Sequence, residues 1–340
     1  MPQRFKSFPF LAVILASMFI LCAHSAAASK DLDAFKNREE VIIAVTDSGL
    51  GGMAVVAELS RRLKTQHPFR QVRIIFQNAL FSPKSGYNSL TSRNQKIKIF
   101  NNCLESLNQN YRPDVILIAC NTLSVLFDDT RFARQKKVPV KGVVEAGLAL
   151  IAVKLSKSKS SQVAILGTET TIGEGTYQRR LVEMGFDRKR IIAQACPELQ
   201  AFIERGFDSE ETRVLISAYT DEVIQKKIKD APLWVSFNCT HYGYALKAWQ
   251  EAFAEFNCPV EAFLDPTPHM VDFIFAGARA KRFKETRSEI KVVSMVPIAR
   301  QAIESLGRYF KLISPETAKA LANYELKENL FEWKSIAQRP

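Results

Sequence analysis

Short apolar runs alternate with longer amphipathic stretches along most of this chain. The runs Val41–Val45, Val72–Phe76, Val115–Ala119, Val140–Val144, Val163–Leu166, Ile191–Ala193, Leu233–Phe237 and Val260–Leu264 are rich in β-branched residues and predict strands. Between them, Met53–Lys64, Ser92–Leu107 and Thr212–Lys227 have helical length. Apolar strands without polar alternation are buried on both faces, and strands that alternate with helices form parallel sheets. The pattern therefore predicts an α/β fold with mainly parallel sheets. In such sheets ligands bind beyond the carboxyl ends of the strands, which narrows the search for chemistry to four short segments.

Those segments are Thr46-Asp47-Ser48-Gly49, Cys120-Asn121-Thr122, Gly167-Thr168-Glu169-Thr170 and Asn238-Cys239-Thr240-His241. They run polar turn, cysteine, polar turn, cysteine. Asp47 precedes Cys120 by 73 residues, and Glu169 precedes Cys239 by 70. This near-repeat predicts two pseudo-symmetric domains, each presenting one polar turn and one thiol to a cleft between them.

Ahead of the alternation, Arg4 and Lys6 precede an apolar run from Phe10 to Cys22, with Ala26, Ala27 and Ala28 following. A positive start, a short apolar run and an Ala-x-Ala site read as a signal peptide over residues 1–28. The expectation is a periplasmic or secreted protein with no stable membrane insertion after cleavage, because no later uncharged stretch approaches ~20 residues. Lys and Arg exceed Asp and Glu by 12. The basic clusters at 134–137, 154–159, 188–190 and 279–287 are scattered, so solvated surface is expected and no nucleic-acid partner. Six cysteines in 340 residues are too few for a disulfide scaffold. The five that follow the signal segment leave at least one thiol unpaired.

A cysteine between a strand and a helix can face the crevice, with helix N–H groups lowering its pKa from ~8.5. Two such thiols on opposite sides of a carbon acid form a proton acceptor and a proton donor. One removes the α-proton, the other returns a proton to the opposite face, and the centre inverts. That chemistry calls for no metal and no cofactor, but it needs groups that set protonation. Asp47 near Cys120 and His241 near Cys239 are the candidates. Asn121, Thr122 and Thr240 offer donors to a substrate carboxylate. Cys103, Cys196 and Cys258 lack such a setting and read as structural. The turn Gly49-Leu50-Gly51-Gly52-Met53-Ala54 fits a relaxed dinucleotide fingerprint, yet Asp47 sits where a pyrophosphate would approach. Its helix start suits a small carboxylate better. Neither a metal-ligand spacing nor a G-x-S-x-G hydrolase elbow occurs.

The ordered segments Asp47-Ser48-Gly49-Leu50-Gly51-Gly52, Ala119-Cys120-Asn121-Thr122 and Cys239-Thr240-His241-Tyr242 resemble the aspartate/glutamate racemase superfamily, and the glutamate racemases within it most closely. Gly142–Glu145, Gly167–Ile172, and Ala195-Cys196-Pro197 followed by Glu204 add to the resemblance. It implies cofactor-independent racemisation in a cleft between two domains, with Cys120 and Cys239 as opposed acid and base. It implies Asp47 and His241 as their respective assistants, with Glu204 a further acidic candidate, and Ser48, Asn121, Thr122 and Thr240 as substrate binders. The family's inserted second domain implies residues 38–144 and 242–276 for the first domain, 145–241 for the second, and 277–340 as a C-terminal extension. Ser82-Pro83-Lys84-Ser85-Gly86-Tyr87-Asn88 stands where the family has Pro-Tyr-Gly, and Gly243 where it has proline. Both departures bear on the substrate more than on the acid/base pair.

The expected activity is that of an isomerase, a pyridoxal-independent amino-acid racemase of glutamate or aspartate type, whose partner is a small amino acid. An exported amino-acid-binding protein that keeps the fold without catalysis stays open beside it, as does another carbon-acid isomerase of hydantoin-racemase type. Assembly as a homodimer is also left open.

Overall fold

A computed structural model describes residues 32, 34–135, 137–276 and 281–337; the signal peptide expected at 1–28 lies outside the described residues. The chain divides at Arg38 into two compact units. Of the first, residues 34–37 form a helical turn. The second begins at Glu39 and carries both sheets.

Its strands are β1 (Glu40–Asp47), β2 (Gln71–Asn78), β3 (Val115–Ile118), β4 (Val140–Gly142), β5 (Gln162–Gly167), β6 (Ile191–Ala195), β7 (Leu233–Asn238), β8 (Val260–Leu264), β9 (Arg287–Ser294) and β10 (Glu325–Leu326). The longer helices are α1 (Met53–Gln66), α2 (Arg93–Tyr111), α3 (Val143–Leu155), α4 (Thr176–Glu183), α5 (Leu199–Arg205), α6 (Glu210–Lys226), α7 (Leu246–Glu255), α8 (Arg300–Ile313) and α9 (Pro315–Ala322). Among the described residues every strand pair is parallel. The apolar runs explain this: β3 (VILI) and β5 (QVAILG) are buried at every position, as strands covered on both faces must be. One core gathers Ile75, Phe100, Ile116 and Ile118, another Leu148, Val163, Ile165 and Tyr177. Each such side chain contributes about 1.5–3 kcal/mol through burial.

The first sheet runs β10-β9-β2-β1-β3-β4 and the second β6-β5-β7-β8. Without β9 and β10, both sheets read second, first, third, fourth in their own chain order. That shared order is the near-repeat made visible. Thr46 pairs with Ile118 and Gly167 with Asn238. Carried a residue or two further, these registers set Ser48 opposite Cys120 and Thr168 opposite Cys239.

Three expectations change. Val143 and Val144 open α3 instead of prolonging β4; Glu145 in the first turn suits a helix N-terminus, and the Val143 N–H donates to Ser124 Oγ at 3.3 Å. The chain does not rejoin the first domain at residue 242, because β8 pairs with β7 in the second sheet. Nor is 277–340 simply an extension: β9 pairs along the whole of β2, from Gln71–Arg287 to Asn78–Ser294, and widens the first sheet. The pattern hides β9 because Arg287 and Glu289 lie in its exposed half, while burial begins only at Val292.

No helix among the described residues is long and apolar enough to cross a membrane.

Candidate active site

The turn from β1 into α1 is glycine-rich for a steric reason. A Cβ on Gly51 would lie 2.1 Å from Thr240 Oγ1 and 2.7 Å from His241 Nδ1, and one on Gly49 would lie 2.7 Å from Glu204 Oε1. The backbone of the first domain thus runs directly against the loop that follows β7. Two of the turn's donors are also taken. Gly49 N–H donates to Asp47 Oδ1 at 3.2 Å and Leu50 N–H to Glu204 Oε1 at 2.6 Å. One carboxylate held at this helix start is thus the protein's own Glu204.

Cys239 follows β7 and meets its expected partner. Its Sγ lies 3.6 Å from His241 Nδ1, and His241 Nε2 lies 2.7 Å from Glu204 Oε1. Sulfur, imidazole and carboxylate form one relay that ends on α5. Burial opposes charge on His241, but its bonds to Cys239 and Glu204 and the charges of both outweigh burial. The imidazole pKa is raised well above its usual value.

Cys120 is set differently. Its Sγ lies 3.1 Å from Ser48 Oγ. Burial, and then the charge of Asp47, push its thiol far above the usual range, against weaker pulls from the Ser48 hydroxyl and the backbone at Ser48 and Leu123. This corrects the expectation that the following helix lowers it: Asn121–Ser124 is a single turn, and burial prevails. Asp47 itself hydrogen-bonds across to the other domain, where Thr240 Oγ1 donates to its Oδ2 at 2.8 Å. Burial raises the Asp47 carboxyl, with the charge of His241 and the Thr240 bond opposing.

Thr122 mirrors Thr240. Its Oγ1 lies 2.8 Å from Thr168 Oγ1 and 3.5 Å from Thr171 Oγ1, both past the end of β5. Each cysteine loop therefore lends a threonine to the first-strand end of the opposite sheet. Both hydroxyls expected to greet a substrate are engaged in joining the domains. Asn121 Oδ1 accepts from Tyr177 OH at 2.6 Å, which leaves Asn121 Nδ2 buried and without a partner among the described residues.

A cleft of about 580 Å³ is lined among others by Ser48, Lys84, Tyr87, Glu204, Arg205 and His241. Motif reading missed Tyr87 and Tyr177. The Tyr87 hydroxyl is buried and without a partner among the described residues, and its pKa is raised by burial and then by the charges of Cys103 and Cys120. Its one sequence signal is its place in the segment 82–88. Tyr177, from α4, gives no motif signal. A larger cavity, about 790 Å³ around Cys258, joins none of these residues. Among the described residues no cluster of three His, Cys, Asp or Glu side chains is placed to hold a metal ion.

A family model described as Asp/Glu/Hydantoin racemase matches residues 47–253. Over 201 residues the chain is 31% identical to a glutamate racemase of Aquifex pyrophilus, covering 59% of this chain and 70% of that one. It is 32% identical over 201 residues to a glutamate racemase of Sulfurihydrogenibium sp. (strain YO3AOP1), with the same shares. In fold it is similar to the crystal structure of a glutamate racemase isoform from Bacillus anthracis, at TM-score 0.64 and 18% identity over 87% of this chain and 100% of that one. It is equally similar to a Francisella tularensis glutamate racemase in complex with D-glutamate, at TM-score 0.64 and 19% identity over 88% and 99% of the two chains.

Proposed function

The chain belongs to the Asp/Glu/Hydantoin racemase family and is an amino-acid racemase, an isomerase, and on that premise we propose that it interconverts the enantiomers of glutamate by proton transfer between Cys239 and Cys120. One observation carries this reading: the two cysteines close equivalent registers in two sheets of the same strand order, Cys120 beside the Ser48 hydroxyl and Cys239 beside the His241 imidazole. Glutamate is preferred as substrate because the relatives matched at 31% and 32% identity are glutamate racemases.

In one direction the Cys239 thiolate takes the α-proton. The electron pair left on Cα delocalises into the substrate carboxylate, and the Cys120 thiol protonates the opposite face. In the other direction the two sulfurs exchange roles. One proton leaves, one arrives, and neither sulfur changes oxidation state. The His241 imidazolium sets a positive charge 3.6 Å from the Cys239 sulfur, where a thiolate must wait. Glu204 holds that imidazolium in place. Cys120, held protonated by burial and by Asp47, is ready as the acid. Its thiolate, once formed, accepts a hydrogen bond from Ser48. Asn121 Nδ2, the unpartnered donor, is assigned to the substrate carboxylate. The signal read at 1–28 makes this an exported isomerase, and its function then requires both thiols to stay reduced.

The test is chirality. Wild type, Cys120→Ser and Cys239→Ser are incubated with each enantiomer of glutamate, aspartate and neutral amino acids. Racemisation of glutamate by wild type, lost in both variants, is the expected result. Glutamate bound by wild type with its α-centre untouched would leave a binding protein in its place.

A further inference from the structure

Residues 330–337 take no part in that chemistry, yet they are bound along one face of α2. Gln95 Nε2 donates to the Ile336 carbonyl at 3.0 Å, Asn102 Nδ2 to Glu332 O at 2.9 Å, and Ser106 Oγ to Leu330 O at 2.5 Å. Steps of seven and four residues keep the three donors on one helical stripe. The segment runs antiparallel to α2, its backbone carbonyls caught one after another. Leu330 and Phe331 enter the core cluster that also holds Phe81, Tyr87 and Cys120.

Trp333 reaches further. Its ring lies 5.2 Å from that of Phe81, and Phe81 meets the Tyr87 ring edge-on, also at 5.2 Å. Phe81 and Tyr87 lie in the connection between β2 and α2, of which Leu80, Ser82, Pro83, Lys84, Ser85 and Gly86 line the cleft. Between Asn78 and Tyr87 this connection has no helix or strand of its own. Its shape is therefore set by what it packs on.

We propose that Trp333 is a positioning residue for substrate binding: through the Phe81 ring, the 330–337 segment backs the cleft-lining residues 80–89 and holds Tyr87 in place. A wall ordered before the substrate arrives removes an ordering cost from binding. Because Trp333 reaches no reacting atom, its loss is felt in KM more than in kcat. The kinetic part of this inference rests on the racemase reading; the structural part does not.

The experiment uses the full-length chain with Trp333→Ala, Trp333→Phe and the milder Asn102→Ala. Amide hydrogen exchange is followed by peptide, alongside kcat and KM for glutamate. In Trp333→Ala, exchange rises within 80–89 while β1 and β5 keep their protection. KM rises about three- to tenfold, the weight of one aromatic pair, and kcat stays within about twofold. Trp333→Phe restores both readouts, and Asn102→Ala moves them slightly in the same direction. Unchanged exchange in 80–89 overturns the proposal, as does a rise spread through β1 and β5, or a loosened wall with KM unmoved. If wild type racemises nothing, the racemase reading fails, and exchange in 80–89 still decides whether Trp333 holds this wall.

Discussion

Thr240 Oγ1 donates a 2.8 Å hydrogen bond to Asp47 Oδ2, joining the loop after β7 to the end of β1. Asp47 is 1 % exposed, so the second oxygen of its carboxylate has no water to replace that donor. The bond ties Asp47, which raises the Cys120 thiol, to the loop that carries Cys239. Removing the donor therefore reaches both halves of the site. Thr240→Val is expected to cost about 1–3 kcal/mol of stability, the penalty for an unsatisfied buried acceptor. A fall in Tm of several degrees follows, together with a loss of kcat. Calorimetry and steady-state rates on the same preparation check this; an unchanged Tm contradicts the role given to the bond.

Gly51 and Gly307 make a matched pair. Alanine at Gly51 places a Cβ 2.1 Å from Thr240 Oγ1, whereas nothing among the described residues lies within 4 Å of a Cβ at Gly307, inside α8. Gly51→Ala is expected to abolish activity and lower Tm. Gly307→Ala is expected to stabilise by about 0.4–1 kcal/mol with activity intact. Thermal melts of the two variants decide it.

His241 gives stability a pH dependence of definite sign. Its folded pKa stands well above the ordinary 6.5, despite burial, through Cys239 and Glu204. The folded state therefore holds the proton more tightly than the unfolded chain. The stabilisation is fully present below about pH 6.5 and is lost as pH rises through the folded pKa. Melts of wild type and His241→Gln across pH 6–9 are expected to converge as pH rises. Parallel curves contradict this.

Tyr177 fixes one rotamer of Asn121 through a 2.6 Å bond. Tyr177→Phe leaves Asn121 Oδ1 buried without its donor, so the carboxamide turns to find another partner. A KM for glutamate raised roughly tenfold is expected, with a smaller change in kcat. A KM at the wild-type value removes Asn121 from substrate binding.

The central strands and both cysteine loops were legible because parallel strands buried on both faces leave unbroken apolar runs, and polar residues at their carboxyl ends stand out against them. The pairing of Cys239 with His241 follows from two residues of separation and from the turn they share. The partner of Asp47 was not legible. It lies 193 residues away, and nothing local distinguishes a threonine that faces a substrate from one that bonds a carboxylate. The rise in the Cys120 pKa escaped for a similar reason: spacing gives the helix after the cysteine, while only packing gives its burial. β9 was hidden by the charges in its exposed half, and Trp333 by the absence of any motif around it. Local order and alternation were readable, and contacts that close over long separations were not.

The two-thiol claim is tested most directly by where solvent deuterium goes at early times. Wild type is incubated in D₂O with one enantiomer of glutamate, and both enantiomers are recovered while conversion is a few per cent. If Cys239 and Cys120 act from opposite faces, as proposed, the proton removed by one sulfur is not the proton supplied by the other. The inverted product is then α-deuterated from the first time point, and the unreacted pool stays protiated. Equal early deuteration of both enantiomers would mean a single base serving both faces, and would contradict the account.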